Sequence, residues 1–447
     1  MRLNSLVSLK FKMADREHSI NNPQPRGGIP RLQPERIALL SYGFRPFFLG
    51  SALWACIAMV LWIGLLSGWW TFAGGYGVIA WHAHEFLFGY IAAVMTGFLL
   101  TAIPNWTGRF PLQGRPLLAL FVLWLAGRAA MLAVDEIGTG AAAVVDCAYL
   151  VTLTTVITRE IVAGSNWRNL RVAVLVGLTA VANIVFQAEV VTYAAPTYGL
   201  RLAVAAIVGL IMVVGGRVIP SFTSNWLTRQ GSGRRPAPLD RFDIGSIAFA
   251  AFALVAWIAA PDWYGTAALL LLMAIAQAAR LSRWAGAQTW REPILFVLHV
   301  GYAFVPLGAL MLSISILWPQ VVPASGALHA WTTGAMGIMT LAIMTRAILG
   351  HTGRDVLSKP TTTTIYGAMF LAALVRIAAP QHPLIMTRCW SQASPGSWPS
   401  VFSCSSTGRC WSERNKIPEV YRIKWANVRF WHKADMTTVP IHVRFRG

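Results

Sequence analysis

Apolar residues run in stretches of about 18 to 26, separated by short polar segments, along most of this chain. A stretch of about 20 apolar residues is what a helix needs to cross a bilayer. The pattern predicts eleven such helices, over residues 46–70, 77–103, 117–134, 140–162, 170–190, 199–219, 244–260, 265–280, 293–317, 326–349 and 362–379. The eighth is the shortest. Residues 1–45 form a polar, basic arm with Pro23, Pro25, Pro30 and Pro34, expected to be disordered. It has no apolar core long enough for a signal peptide, so the first membrane helix is expected to act as the insertion signal. The fold class expected is all-α, a polytopic helical bundle embedded in a lipid bilayer.

The polar connections test that list. With the N-terminus inside, the loops on the inner face carry Arg109, Arg115, Arg159, Arg168, Arg171, Arg217, Arg229, Arg234, Arg235, Arg241, Arg280, Arg283, Arg291, Arg346, Arg354 and Lys359. The opposite loops carry Arg201 with Asp135, Glu136 and Asp262. Missing one helix would scramble this 16-to-1 split of basic residues, so the split supports both the count and a cytoplasmic N-terminus.

Composition agrees. The 447 residues are 56% hydrophobic and only 12% charged, against about 25% in a soluble domain. A net charge of +20 first suggests nucleic acid, but the arginines are spread over many short loops, where they set topology instead. Cys56 and Cys147 lie singly in apolar helices, and the other three cysteines lie beyond residue 385, so no disulfide or metal framework is expected. From about residue 387 the membrane pattern stops. Residues 386–447 are rich in Ser, Trp, Arg and Cys, with ten Lys/Arg against three Asp/Glu. After eleven helices this basic tail would lie outside, against the charge rule. The reading adopted is a twelfth helix lost through a reading-frame error, with a genuine extension as the alternative.

Histidine is rare, and five of the nine sit at membrane-helix positions: His82, His84, His299, His329 and His351. Imidazole in a membrane helix is costly and commonly faces a cavity, a partner or a cofactor. Neutral imidazole also binds haem iron and copper. The plain alternative is a histidine bonded to water or backbone at a helix end. His82 and His84 lie near the outer end of the second helix and are about 200° apart around it, so both cannot easily bind one ion. Glu85 is placed to orient a ligand. His329 lies near the outer end of the tenth helix, at the depth of His84. His299 lies about two turns into the ninth helix from the inner face, and His351 at the inner end of the tenth. Arg128 and Asp146, each about six residues from the outer end of the third and fourth helices, should pair; Arg128 holding an acidic cofactor group, such as a haem propionate, is the sharper option. Met336, Met339 and Met344 form a stripe read as packing, although Met is also a soft copper ligand. Trp62, Trp69, Trp70, Trp81, Trp106, Trp226 and Trp318 read as an interfacial belt.

There is an internal echo. His84 precedes Thr107-Gly108-Arg109, and His329 precedes Thr352-Gly353-Arg354, with 25 residues from His to Arg in both. Ala102-Ile103-Pro104-Asn105 closes the second helix, and Arg217-Val218-Ile219-Pro220 the sixth. The second, sixth and tenth helices are four apart, compatible with three four-helix units.

Together, Ser41-Tyr42-Gly43-Phe44-Arg45-Pro46-Phe47-Phe48-Leu49-Gly50, Trp81-His82-Ala83-His84-Glu85-Phe86-Leu87-Phe88-Gly89-Tyr90, the run Gly97–Arg109, Gly216-Arg217-Val218-Ile219-Pro220, Leu298-His299-Val300-Gly301-Tyr302, His329-Ala330, Met344-Thr345-Arg346 and Gly350-His351-Thr352-Gly353-Arg354 closely resemble the NnrS family. The resemblance covers about residues 38–385. It implies a bacterial inner-membrane protein of twelve helices that carries haem and copper. It further implies a link to nitric oxide metabolism, denitrification and resistance to nitrosative stress, with nitric oxide as the small-molecule ligand. His82, His84, His299, His329 and His351, with Arg128, are then the candidate cofactor residues, His84 and His329 foremost. The absent last helix is a departure from the family. The rival reading is a transporter or permease without a redox cofactor, in which Pro104 and Pro220 mark broken helices around a site.

Overall fold

The computed structural model describes residues 37–381, apart from 232. The tail beyond 385 and most of the N-terminal arm lie outside the described residues. Among the described residues, eleven helices are long and apolar enough to cross a membrane. They are α1 (Phe44–Ser67), α2 (Val78–Thr107), α3 (Arg115–Leu132), α4 (Thr139–Ala163), α5 (Trp167–Tyr193), α6 (Tyr198–Gln230), α7 (Arg241–Ala259), α8 (Tyr264–Ser282), α9 (Pro293–Leu317), α10 (Ala324–His351) and α11 (Pro360–Ala378). There is no strand among the described residues. The chain is a multi-pass membrane protein with an all-helical fold.

Each helix packs against the next in sequence, as short connections require. Depth in the bundle separates them. The most apolar stretches of α2 and α6 are 78% and 72% buried, that of α9 67%, and that of α11 only 11%. α2 touches α4 and α10, and α6 touches α9 and α10, so α2, α6 and α10 run through the middle while α11 lies at the edge. The arginine-rich connections share one end of the bundle, called the basic end below.

The ends of two helices differ from expectation. α2 and α6 do not stop at Pro104 and Pro220 but run through them, to Gly108 and Gly231, both in the left-handed conformation at φ 69° and 68°. A proline removes one backbone bond, and neighbouring helices and side chains can make up the difference in a membrane. Glycine is the residue that takes the left-handed cap without a Cβ penalty, and that is where the chain turns. Other ends are secured by side chains. Both Glu189 oxygens, at the far end of α5, accept from the backbone N–H groups of Thr197, Tyr198 and Gly199 at the start of α6, at 2.8, 2.9 and 3.0 Å. Those donors have no partner within the helix itself.

α2, α6 and α10 share a further feature. Each contains a π-helical segment, at Glu85–Ile91, Ile211–Gly215 and Ala330–Gly337 respectively. Such widened turns are uncommon and concentrate at functional sites. The four-helix spacing read from the sequence therefore recurs as backbone geometry. Each segment contains glycine, and in two of them a side chain of a neighbouring helix donates to a backbone carbonyl. Trp124 Nε1 donates to the Gly89 carbonyl at 3.0 Å, and Arg280 Nη1 donates to the Met212 carbonyl at 3.0 Å.

Two assignments change with the fold. Arg280 counts as a loop residue in the sequence, yet it is fully buried. It donates to Asp243 Oδ1 (2.9 Å) and to the Tyr302 hydroxyl (2.8 Å), and that hydroxyl donates to Gln277 Oε1 (2.7 Å). Trp81 does not belong to an interfacial belt: it is fully buried and donates to the Met131 carbonyl at 3.1 Å. Met336, Met339 and Met344 are all buried in core contacts, in line with a packing role.

Candidate functional site: two histidines on opposite sides of one helix

α2 begins as an ordinary α-helix over Val78–His84 and widens immediately after. Two residues turn an α-helix by about 200°, so His82 and His84 look in nearly opposite directions. Each therefore meets a different set of neighbours.

His84 is fully buried among α2, α4 and α5. Its Nδ1 lies 3.0 Å from Glu85 Oε1, and its Nε2 lies 2.9 Å from Asp146 Oδ2 and 3.2 Å from Asn183 Oδ1. Arg128 of α3 bridges the same carboxylates, donating Nη1 to Glu85 and Nη2 to Asp146. The pairing of Arg128 with Asp146 expected from their depths is present, and Glu85 joins it. Trp54 Nε1 donates to Glu85 Oε2 at 2.8 Å, Asn183 Nδ2 to Asp146 Oδ2 at 2.8 Å, and Gln187 Nε2 to the same oxygen at 3.1 Å. The Tyr76 hydroxyl donates to Gln187 Oε1 at 3.1 Å and closes the network.

Charge balance follows from the geometry. With Glu85 and Asp146 ionised, both His84 nitrogens face oxygens that only accept, so the imidazole carries both protons. Two cations then offset two carboxylates. Gln187 Nε2 also comes within 3.0 Å of His84 Nε2. It has Asp146 and the Met131 sulfur to donate to, so it does not need a lone pair on the ring. In this arrangement His84 offers no free lone pair to a metal.

His82 has the opposite surroundings. Its ring stacks on Trp62 of α1, with centroids 3.9 Å apart and planes at 19°, and its Nδ1 is buried without any partner. The Arg376 guanidinium of α11 sits over the same indole, 4.9 Å from its centroid, and donates Nη2 to His329 Nε2 at 2.8 Å. His329 in turn donates Nδ1–H to the Ser325 carbonyl one turn back, at 2.6 Å. That bond fixes the tautomer and leaves Nε2 as the lone-pair nitrogen. Arg376 makes no ion pair with a carboxylate among the described residues. So the structure brings His329 to His82, through Trp62 and Arg376, and keeps His84 in a separate network.

The remaining histidines stay apart. His299 of α9 is paired through Nε2 with the Thr223 hydroxyl of α6 at 2.9 Å, and its Nδ1 is buried without a partner. A Cβ on Gly286 would come to 2.6 Å of that nitrogen, so glycine there leaves the ring its room. His351 is exposed at the basic end, with its ring 5.7 Å from that of Phe44. Arg376, Asn183 and Gln187 escaped sequence reasoning. A polar residue inside an apolar run was the available signal for all three.

A family model described as "NnrS protein" matches residues 38–406. The chain belongs to the NnrS family. No curated protein and no solved structure matches it. The NnrS match ends 28 residues past the end of α11 (406 against 378), in the stretch read from sequence as an atypical tail.

The groups implied by the resemblance to NnrS proteins can be compared with the donors present. A copper centre commonly draws on three or more protein ligands. No group of three or more His, Cys, Asp and Glu able to hold a metal comes together among the described residues. Haem iron needs only one or two axial ligands. The unpartnered His82 Nδ1, with His329 linked to it through Trp62 and Arg376, offers one such ligand.

Proposed function

We propose that this NnrS protein is a haem-binding protein of the bacterial inner membrane, acting in the nitric oxide response and in resistance to nitrosative stress, and linked to denitrification. The basic end faces the cytoplasm, as the excess of arginine there favours. Family membership supports the nitric-oxide-related role broadly. The observation that carries the haem reading is the unpartnered buried Nδ1 of His82 beside His329 and Arg376.

A bound haem would supply nitric oxide binding and one-electron chemistry. The residues of this chain have simpler tasks. His82 offers a lone pair from a ring held flat by Trp62. His329 is oriented by the Ser325 carbonyl, and its Nε2 becomes available once Arg376 moves off it. Arg376, free of any carboxylate among the described residues, is the counter-charge for an acidic group. Arg128, in contrast, has its charge committed to Glu85 and Asp146 through both terminal nitrogens. Copper is given no role in this reading. The transporter alternative drew on Pro104 and Pro220 as broken helix ends; both lie inside continuous helices, which takes that support away.

The test is an optical spectrum of the purified full-length protein, oxidised and reduced, before and after nitric oxide, from cells supplied with haem. A haem band that shifts with nitric oxide, and is lost or displaced in His82→Ala or His329→Ala while His84→Gln keeps it wherever the protein folds, supports the reading. Haem-free protein, or a band lost only with His84, overturns it.

A further inference from the structure

At the basic end, away from both histidine clusters, α2, α5 and α6 line an open cleft-like cavity of about 340 Å³. Its lining is Trp106 at the end of α2, Asn166, Arg168 and Asn169 at the start of α5, and Val214, Arg217 and Val218 of α6. Arg217 projects from the turn directly after the π-helical segment of α6. Its Nη1 donates to Asn169 Oδ1 at 2.6 Å, while its Nη2 is buried with no partner. The charges acting on Arg217 are Arg168 and Arg171, both positive. None of the three arginines forms an ion pair among the described residues. The carboxylate of Glu160 nearby in the chain is held by Arg109 at 2.6 Å.

The asparagines are also committed. Asn169 donates Nδ2 to Asn166 Oδ1 at 3.2 Å, and Asn166 donates to the Trp106 carbonyl. Asn169 stands just before the α-helical part of α5 (Leu170–Tyr193) and makes no cap bond with its side chain, whose oxygen serves Arg217 instead. The framework around the cavity is thus internally satisfied, and what is left over is positive charge and one buried guanidinium nitrogen. A buried donor without an acceptor is a net cost, and an anion accepting from it removes that cost. A guanidinium fork matches two oxygens of a phosphate.

The geometry points to a phosphate-binding site at the α2–α5–α6 junction, with Arg217 as the principal contact and Arg168 and Arg171 as supporting charge. The shared chemistry is a phosphate oxoanion, carried either by an anionic lipid headgroup or by free phosphate. Trp106, Val214 and Val218 give one wall an apolar character that suits a headgroup joined to acyl chains.

The full-length protein in a nonionic detergent is titrated at constant ionic strength with phosphatidylglycerol, with phosphatidylcholine or with inorganic phosphate, and its thermal unfolding midpoint is followed. A midpoint raised by phosphatidylglycerol but not by phosphatidylcholine or phosphate identifies a lipid headgroup site. A rise with inorganic phosphate identifies a free-anion site. In either case Arg217→Gln should need roughly ten- to a hundredfold more ligand, the range expected for one charged hydrogen-bonding contact. Arg168→Gln, at an exposed position whose loss leaves the fold intact, should weaken binding in the same direction. Arg354→Gln, a basic-end arginine outside the cavity, should change nothing. The proposal is overturned if no phosphate-bearing ligand raises the midpoint, or if Arg354→Gln weakens binding as much as the two cavity variants.

Discussion

His82 and His84 are two residues apart on one helix, and their surroundings are opposites. His84 sits among four helices in a network where both of its ring nitrogens face carboxylate oxygens and Arg128 Nε is the one buried side-chain nitrogen left without a partner. His82 sits between α1 and the α10–α11 edge, stacked on an indole, with a buried nitrogen that bonds to nothing. The contrast teaches that burial alone does not mark a ligand. A fully satisfied imidazole is part of the scaffold, because a metal would have to displace charged acceptors to reach it. An unsatisfied one, beside a cation without a carboxylate, is where a further group lowers the energy. Arg128 and Arg376 repeat the contrast: both are largely buried arginines, but one is bridged to two carboxylates and the other donates to a neutral histidine.

The sharpest way to break the comparison is to remove the bridging cation. Arg128→Met leaves Glu85 and Asp146 buried with only His84 between them, and breaking a buried pair in this way costs about 3–5 kcal/mol. The expected result is a large fall in the yield of monodisperse protein and in its unfolding midpoint, much of it recovered when Asp146→Asn is added. Arg376→Met should change stability far less. If the two arginine variants prove equally harmful, the distinction between the regions fails.

Next comes the histidine itself. His84→Gln removes a cation held by two carboxylates and should cost about 2–3 kcal/mol, since hydrogen bonds to charged groups are worth about 1.5–3 kcal/mol. His82→Gln, which breaks no hydrogen bond among the described residues, should fall well below that. Thermal unfolding of the two variants in one detergent, side by side, gives the difference directly.

Gly89→Ala probes how tightly the satisfied network is built. A Cβ there would stand 2.6 Å from Arg128 Nη1 and 2.9 Å from both Glu85 Oε2 and Trp54 Nε1. All three are held in the network and cannot withdraw cheaply, so overpacking should cost about 1–3 kcal/mol. Gly367→Ala, where a Cβ meets open space, is the control and should be close to neutral. A Gly89→Ala protein as stable as the control would show that the network is looser than its contacts indicate.

The smallest expected effect is at the membrane surface, outside both regions. Asp240 caps α7, accepting from the Asp243 N–H at 3.1 Å, and it pairs with Arg283. Arg283 holds its carboxyl below the ordinary carboxylate range. A carboxyl lowered on folding stabilises fully above its unfolded value, about 3.9, and loses that contribution as pH falls through the folded value. Asp240→Asn should therefore lower the unfolding midpoint slightly at neutral pH, and the gap to the wild type should close in acid. A gap that widens as pH falls would reverse the assignment.

Much of this architecture is legible along the chain. The apolar runs are long enough to be read one at a time, and the arginine alternation checks their number independently, so nine of the eleven helices end within a few residues of expectation. The longer ones are informative. α6 continues ten residues beyond Pro220, to Gln230, in a stretch that is polar and reads as loop along the sequence. Arg280 is misread for the same reason: position near the end of an apolar run looks like a loop, and only its contacts with Asp243 and Tyr302 reveal it as interior.

Hydropathy, helix length and loop charge are properties of consecutive residues, and they give the eleven spans found among the described residues, which helices carry histidine and that Arg128 needs a partner. Which histidine is spent and which is free depends on residues far apart in sequence, since His84 meets Asp146, Asn183 and Gln187 while His329 meets Arg376. Depth alone made His84 and His329 look like a pair. Rotation around the helix axis, set by how α1, α4, α5, α10 and α11 pack against α2 and each other, turned His84 into a charge-balancing member of the core and put His82 beside His329 instead.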